Sequence, residues 1–192
     1  MTPGPRRATH ASSMSDAVLF ESISQGELGS LGVLFDRHHE SLRQFLLRAA
    51  PNSSDVDDIV QETFLTATNA AGSFDGRASG LPFLIGIAVQ LIRRRKRTFA
   101  RLRALYDAFG SAPTTPKPSP EDKLHQAQEE ALLQAAIGRL SEEKRLVLVM
   151  VEYNGLTGVE VAGILGIPVG TIWRRLHEAR AELRQALERG KS

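Results

Sequence analysis

Arginines spaced along one helical face beside a glycine turn are the residues of this chain best suited to chemistry with a partner. In the stretch GTIWRRLHEARAELRQAL, residues Ile172, Leu176, Ala179, Leu183 and Leu187 recur at three- and four-residue steps and so share one side of a helix. Thr171, Trp173, Arg174, Arg175, His177, Glu178 and Arg180 fall on the other sides. A guanidinium offers paired N–H donors that match O6 and N7 on the major-groove edge of guanine, while further cations meet phosphate. A second basic run, Arg93, Arg94, Arg95, Lys96 and Arg97, followed by Arg101 and Arg103, would attract a phosphate backbone. Opposite in sign, Asp55, Asp57, Asp58 and Glu62 gather in one short segment. Nothing assembles these groups for catalysis. There is no cysteine and no Gly-rich phosphate loop, and no nucleophile, base and orienting group can be named together. His38 and His39 are adjacent and diverge by about 100° on a helix, so they cannot grip a metal by themselves. No enzymatic activity, cofactor or metal is expected.

The elements that must position these residues are helical. On either side of GSAPTTPKPSPED, Gly110 to Asp122, the apolar periodicity is that of helices, and no alternating run is long enough for a sheet. That segment holds four of the nine prolines, each lacking an N–H and fixing φ, so it reads as a linker. The expected architecture is all-α: a disordered tail over 1–14, a helical domain over 15–105, a Pro-rich linker over 106–125 and a second helical domain over 126–190. Met14 is a second candidate start.

In the first domain, Leu31, Leu34, Phe35, Leu42, Phe45 and Leu46 define an amphipathic helix that ends before Pro51. Ser54 with Asp57 resembles a capping box, after which Ile59, Val60, Phe64 and Ala67 continue a helix with its carboxylates near the positive end. The loop GSFDGRASG leads to Ser79 and Pro82, which suit the start of a third helix, LPFLIGIAVQLIRRRKR, apolar first and basic last. In the second domain a helix spans about Gln126 to Arg139, Ser141 caps EEKRLVLVMVEYN, and Gly155 stops it. Thr157 and Glu160 form a capping box ahead of VEVAGILG, and Gly166-Ile167-Pro168 turns into the arginine-bearing helix. Two short helices about such a turn make a helix-turn-helix.

The 192 residues, 42% hydrophobic, suffice for two small cores. A net charge of +2, from 24 Lys and Arg against 22 Asp and Glu, says little by itself, so the local runs carry the argument. The absence of cysteine fits a reducing compartment, no signal-peptide apolar stretch follows the N-terminal arginines, and no segment has the length of a membrane span. A cytoplasmic protein without membrane insertion is expected.

The stretch LSEEKRLVLVMVEYNGLTGVEVAGILGIPVGTIWRRLHEARAELRQAL resembles the C-terminal domain of extracytoplasmic-function (ECF) sigma factors of bacterial RNA polymerase. LFDRHHESLRQFLLR, DVDDIVQETFLTA and LPFLIGIAVQLIRRRKR resemble the opening, polymerase-binding and promoter-melting helices of the same family's N-terminal domain. The resemblance covers about residues 28 to 187. It implies that Asp57, Asp58, Gln61, Glu62 and Leu65 dock on core RNA polymerase. It also implies that Phe74, Arg77, Phe83, Gln90, Arg93 and Arg94 handle the minus-ten strand of promoter DNA. Thr171, Trp173, Arg174, Arg175, His177 and Arg180 would read the minus-thirty-five duplex, and an anti-sigma partner is common in the family. This chain departs from the pattern in places. Phe83 stands where the family has tryptophan, Val89 and Gln90 where it has a basic residue and asparagine, and Arg94 where an acid is usual. Trp173 and Glu178 occupy positions where basic residues are common. Two other readings stay open at this point: a stand-alone helix-turn-helix regulator, and a sigma-like protein that binds polymerase without melting promoters.

Overall fold

The computed structural model describes residues 14–50, 55–76, 79–109 and 126–189, and the described residues are helices joined by short turns. They divide between two compact units. One takes the chain up to Gln44 together with Asp55–Leu91, and the other takes the end of the second helix from Phe45 and everything from Ile92 onward. Ser54, Arg77 and most of the Pro-rich segment lie outside the described residues.

Helix α1, Asp16–Ser24, begins at Ser15, whose hydroxyl accepts the Val18 N–H at 3.4 Å, and buries Leu19, Phe20 and Ile23. Its spacing of apolar residues after a serine cap is an ordinary helix signal that the sequence reading passed over. Gly26, at φ 95°, turns the chain into α2, Leu28–Ala49. Leu34, Leu42, Phe45 and Leu46 of α2 are buried as their spacing requires, and Phe35 is half-buried against Phe64. Helix α3, Val56–Ala70, buries Val56, Ile59, Val60, Phe64 and Ala67. Asp55 occupies its cap position without a side-chain cap bond, and Asp57 and Asp58 stand in the first turn, near the positive helix end. A 3₁₀ turn over Ala71–Ser73 ends this helix. Helix α4, Leu81–Phe109, starts where expected, with the Ser79 hydroxyl accepting the Leu81 N–H at 3.2 Å, and runs four residues past the 105/106 boundary drawn from the sequence. Leu84, Ile85, Ala88, Val89 and Leu91 fill its buried side.

In the second unit α5, Gln126–Arg139, and α6, Glu142–Leu148, lead into a π-helical turn over Val149–Tyr153. Leu146 through Met150 are all buried, so that stretch is apolar on every side and sits at the centre of the unit. Ser141 stands at the α6 cap position, yet its hydroxyl makes no cap bond, and Glu142 and Glu143 in the first turn face the positive helix end instead. Arg145 reaches back to accept no proton but donates to the carbonyls of Gly138 and Leu140, each at 3.2 Å, which closes the α5–α6 corner. The capping box of Thr157 and Glu160 is formed in full and starts α7, Gly158–Leu165. Gly166 ends it in the left-handed conformation, φ 68°, which glycine adopts without strain. Helix α8, Val169–Arg189, then buries Ile172, Leu176 and Ala179, and leaves Leu183 and Leu187 half-buried toward its free end. It packs on α5, α6 and α7.

Candidate functional site

Three outward surfaces carry the residues singled out above. On α3, Asp57, Asp58, Gln61 and Leu65 are exposed and Glu62 is half-buried, all on the side opposite the core-facing residues. Leu65 is 65% exposed, an apolar side chain left in water one turn beyond Glu62 on the stripe. Asp57 accepts from Nε of Arg43 on α2 at 2.9 Å, which leaves the stripe predominantly negative.

The second surface is the entry and outer side of α4. Gln90 and Arg94 are exposed and Arg93 is half-exposed, while Val89 is wholly buried and takes no part in any external contact. Phe74 and Phe83 are half-buried because both lie against Phe20 of α1: Phe74 stacks on it at 4.3 Å between ring centroids, and Phe83 meets it edge-on at 5.2 Å. Phe74 and Phe83 also meet each other edge-on at 5.5 Å. One face of each ring therefore belongs to the fold, and only the remainder is open to a base. Arg77 lies outside the described residues.

The third surface is the N-terminal half of α8. Arg174 is 69% exposed, with Glu178 one turn away at 3.9 Å, a distance too long for a tight pair. His177 is exposed and Thr171 half-buried. Arg175 turns back to Glu143 of α6 at 2.6 Å, and Nε of Arg180 donates to Glu152 at 2.8 Å. Arg174 and Arg175 act on Glu178 only as secondary partners. Its main partner is Lys144 of α6 at 3.0 Å, which holds the Glu178 carboxyl below its usual range, and Lys144 also reaches Glu182 at 2.6 Å. Trp173 is half-exposed, and its indole lies over Gly158 so closely that a Cβ at that position would stand 2.6 Å from Cζ2. The ring thus packs on the preceding helix along one edge and offers the other to solvent.

A residue that the sequence did not single out ties the second surface together. Asp16, in the first turn of α1, is buried. Its Oδ2 accepts the backbone N–H of Gly80 at 2.6 Å and lies 2.7 Å from Nε2 of His38, while Oδ1 accepts from Arg37. Burial opposes its ionisation, but the Gly80 N–H, His38 and Arg37 outweigh that cost and lower the carboxyl below its ordinary range. Only the α1 cap signal at Ser15 was available to find it; its partners are brought together by tertiary structure.

Two family descriptions match the chain: Sigma-70 region 2 over residues 34–102, and Sigma-70 region 4 over residues 130–183. SigM of Mycobacterium tuberculosis, an ECF RNA polymerase sigma factor, is 32% identical over 175 residues, 90% of this chain and 85% of its own length. The chain belongs to the ECF sigma factors of the sigma-70 family. The ECF sigma factor SigE of Mycolicibacterium smegmatis is 29% identical over 181 residues, covering 92% of this sigma factor and 68% of SigE. The solved structure of CnrH in complex with the cytosolic domain of CnrY superposes with a TM-score of 0.65 at 27% identity, covering 90% of this chain and 97% of that one. With regions 2 and 4 both present in order, this sigma factor directs RNA polymerase to promoters. No helix among the described residues is long and apolar enough to cross a membrane.

Proposed function

We propose that this sigma factor docks on core RNA polymerase through the α3 stripe, holds the melted minus-ten strand along the entry and outer side of α4, and reads the minus-thirty-five duplex with α8. The observation that carries the proposal is the solvent-facing set Asp57, Asp58, Gln61 and Leu65 on a helix whose opposite side is core. A stripe of acids that ends at an exposed leucine suits a basic helical partner with an apolar seam. Phe74 and Phe83 offer the open part of their ring faces for stacking, with Gln90, Arg93 and Arg94 continuing along α4 toward the strand. On α8, Arg174 is the base reader, Trp173 packs its open edge against thymine methyls, and Thr171, Arg175, His177 and Arg180 meet the backbone.

Arg180 must give up an exposed ion pair to reach phosphate, a small cost because such pairs contribute about 1 kcal/mol or less, whereas Arg175, whose side chain is only 19% exposed, must swing out from Glu143. The chain works in the cytoplasm, without enzymatic activity of its own. A protein partner that covers these faces, an anti-sigma factor, is proposed by extension from the complex of CnrH with the cytosolic domain of CnrY. The test is binding to core RNA polymerase by wild type and by the Asp57→Ala, Asp58→Ala, Gln61→Ala variant. The variant is expected to bind at least about tenfold more weakly, equivalent to about 1.4 kcal/mol. Equal binding would move the docking surface off α3.

A further inference from the structure

The clamp around Asp16 does more than join α1 to α2. Two of its donors, Arg37 and His38, come from α2 and would suffice for that purpose. The third, the Gly80 N–H, comes from a point 64 residues along the chain, where the loop after α3 turns into α4. The Leu84 N–H donates to the Gly80 carbonyl at 3.0 Å, so Gly80 is the cap residue of α4 and its own N–H has no place in the helical ladder. Gly80 is also buried, and a Cβ there would stand 2.6 Å from Cε2 of Phe20 and 3.2 Å from the Asp16 carboxylate. The start of α4 is therefore seated on α1 by a close backbone approach and a charge-assisted hydrogen bond, beside the rings of Phe20, Phe74 and Phe83.

We propose that Asp16 is a positioning residue for promoter opening, fixing through the Gly80 N–H the point and direction at which α4 leaves the loop. The inference rests on the reading of α4 as the helix that handles the melted strand. A carboxylate is needed because it must accept from three donors at once, two of them cationic or able to be so; an asparagine keeps the size but replaces one acceptor with a donor. Its expected consequence is specific. Losing the carboxylate loosens the entry of α4 while α2 and α3, held by their own apolar faces, keep their packing.

The experiment compares holoenzymes formed with wild type, Asp16→Asn and Gln90→Ala, Arg93→Ala, on a promoter selected by transcription with the wild-type holoenzyme. It reads strand opening by permanganate reactivity, and backbone amide exchange over residues 79–84 and over α2 and α3. Asp16→Asn is expected to bind core as wild type does, to exchange faster over 79–84 alone, and to open duplex promoter about tenfold more slowly, the loss expected for a hydrogen bond to a charged acceptor. A promoter already mismatched across the minus-ten element should restore its transcription to within about threefold, since that barrier of unpairing is then absent. If Asp16→Asn opens duplex promoter at the wild-type rate while Gln90→Ala, Arg93→Ala does not, the proposal fails and the reading of α4 stands. If the α4 variant opens normally, that reading fails and the proposal goes with it. Faster exchange throughout α2 and α3, or no rescue by the mismatched promoter, would make Asp16 a general support of the fold and overturn the positioning role.

Discussion

At the entry of α4 a buried carboxylate takes three donors and three phenylalanine rings close over one another, whereas α8 is held by an apolar seam and carries Arg174 and Arg180 in exposed ion pairs. The first arrangement buries Asp16 and nearly all of His38 while Arg37 stays part-exposed, so the inner partners are costly to remove and salt has little access to them. The second leaves its charges in water, where each pair contributes little and can be exchanged for another. This difference suits the two tasks. If α4 holds a flexible single strand, as proposed, it gains from a stiff mount, and if α8 reads a duplex, as proposed, it gains from an arginine that can trade Glu152 for phosphate.

The contrast is broken most directly at Asp16. Replacing Asp16 by Ala leaves Arg37, His38 and the Gly80 N–H without their common acceptor, and is expected to cost about 3 kcal/mol of unfolding free energy. Chemical denaturation measures this, and a loss below about 1 kcal/mol would equate the clamp with a surface pair. The pH dependence has a definite sign. Because the folded carboxyl titrates below its ordinary value of 3.8, its contribution is complete above that value and is lost as pH falls through the lower, folded one. The difference in stability between wild type and Asp16→Asn should therefore be flat near neutrality and shrink only in acid.

Much of this organisation was legible in the sequence because its signals are local. The apolar spacing of α2, α3, α4 and α8, the Thr157–Glu160 box and the glycine stop at Gly166 each lie within a few residues, and the structure has them where the spacing puts them. The face of α3 that carries Asp57, Asp58, Gln61 and Leu65 follows from the same periodicity. What could not be read depends on elements meeting. Asp16 gains its role from donors at positions 37, 38 and 80, and Arg175 is drawn off the outer side of α8 because α6 lies alongside it with Glu143. Gly158, the first residue of α7, is the floor under Trp173, a contact that only the meeting of α7 and α8 creates. Ser141 shows the converse: a favoured cap residue at the cap position whose hydroxyl makes no cap bond.

On α8 the expected effects are smaller and fall on binding. Arg174→Ala should weaken binding to the preferred minus-thirty-five duplex by about 1 to 3 kcal/mol and relax the preference at one base pair, as measured by titration against duplexes varied there. Equal weakening on every sequence would make Arg174 a phosphate contact, the role proposed for Arg175 and Arg180. Gly158→Ala comes next. Its Cβ would meet Trp173, but the indole has open solvent on its other side and can yield, so stability should change by about 1 kcal/mol or less. Trp173 is the sole tryptophan, so its displacement should be read directly as a shift in fluorescence, accompanied by weaker duplex binding. An unshifted spectrum with unchanged binding would mean that the ring's seat on Gly158 has no part in recognition.

The smallest effect sharpens the comparison from the other side. Lys144 joins Glu178 and Glu182, first Glu182 and then Glu178 raising its pKa, while Lys144 in turn lowers that of Glu178. With a raised lysine, the contribution is present below the lysine's ordinary range and is lost as pH climbs through the higher folded value; with a lowered glutamate, it is present above the ordinary glutamate range and lost in acid. Across the neutral range both are charged and the pair is intact. Lys144→Ala should then lower the midpoint of thermal unfolding less than any other change considered, and the difference should vanish near 1 M salt, where the Debye length is about 3 Å. Its second consequence lies on the DNA face. Released from Lys144, Glu178 keeps Arg174 and Arg175 close by on its own helix, and tightening the 3.9 Å approach to Arg174 would turn the guanidinium proposed to read a base toward the helix surface. Duplex binding should fall in low salt although no side chain facing the DNA has been altered. A midpoint shift that survives high salt would show that the α6–α8 ion pairs hold their helix as the buried clamp holds α4.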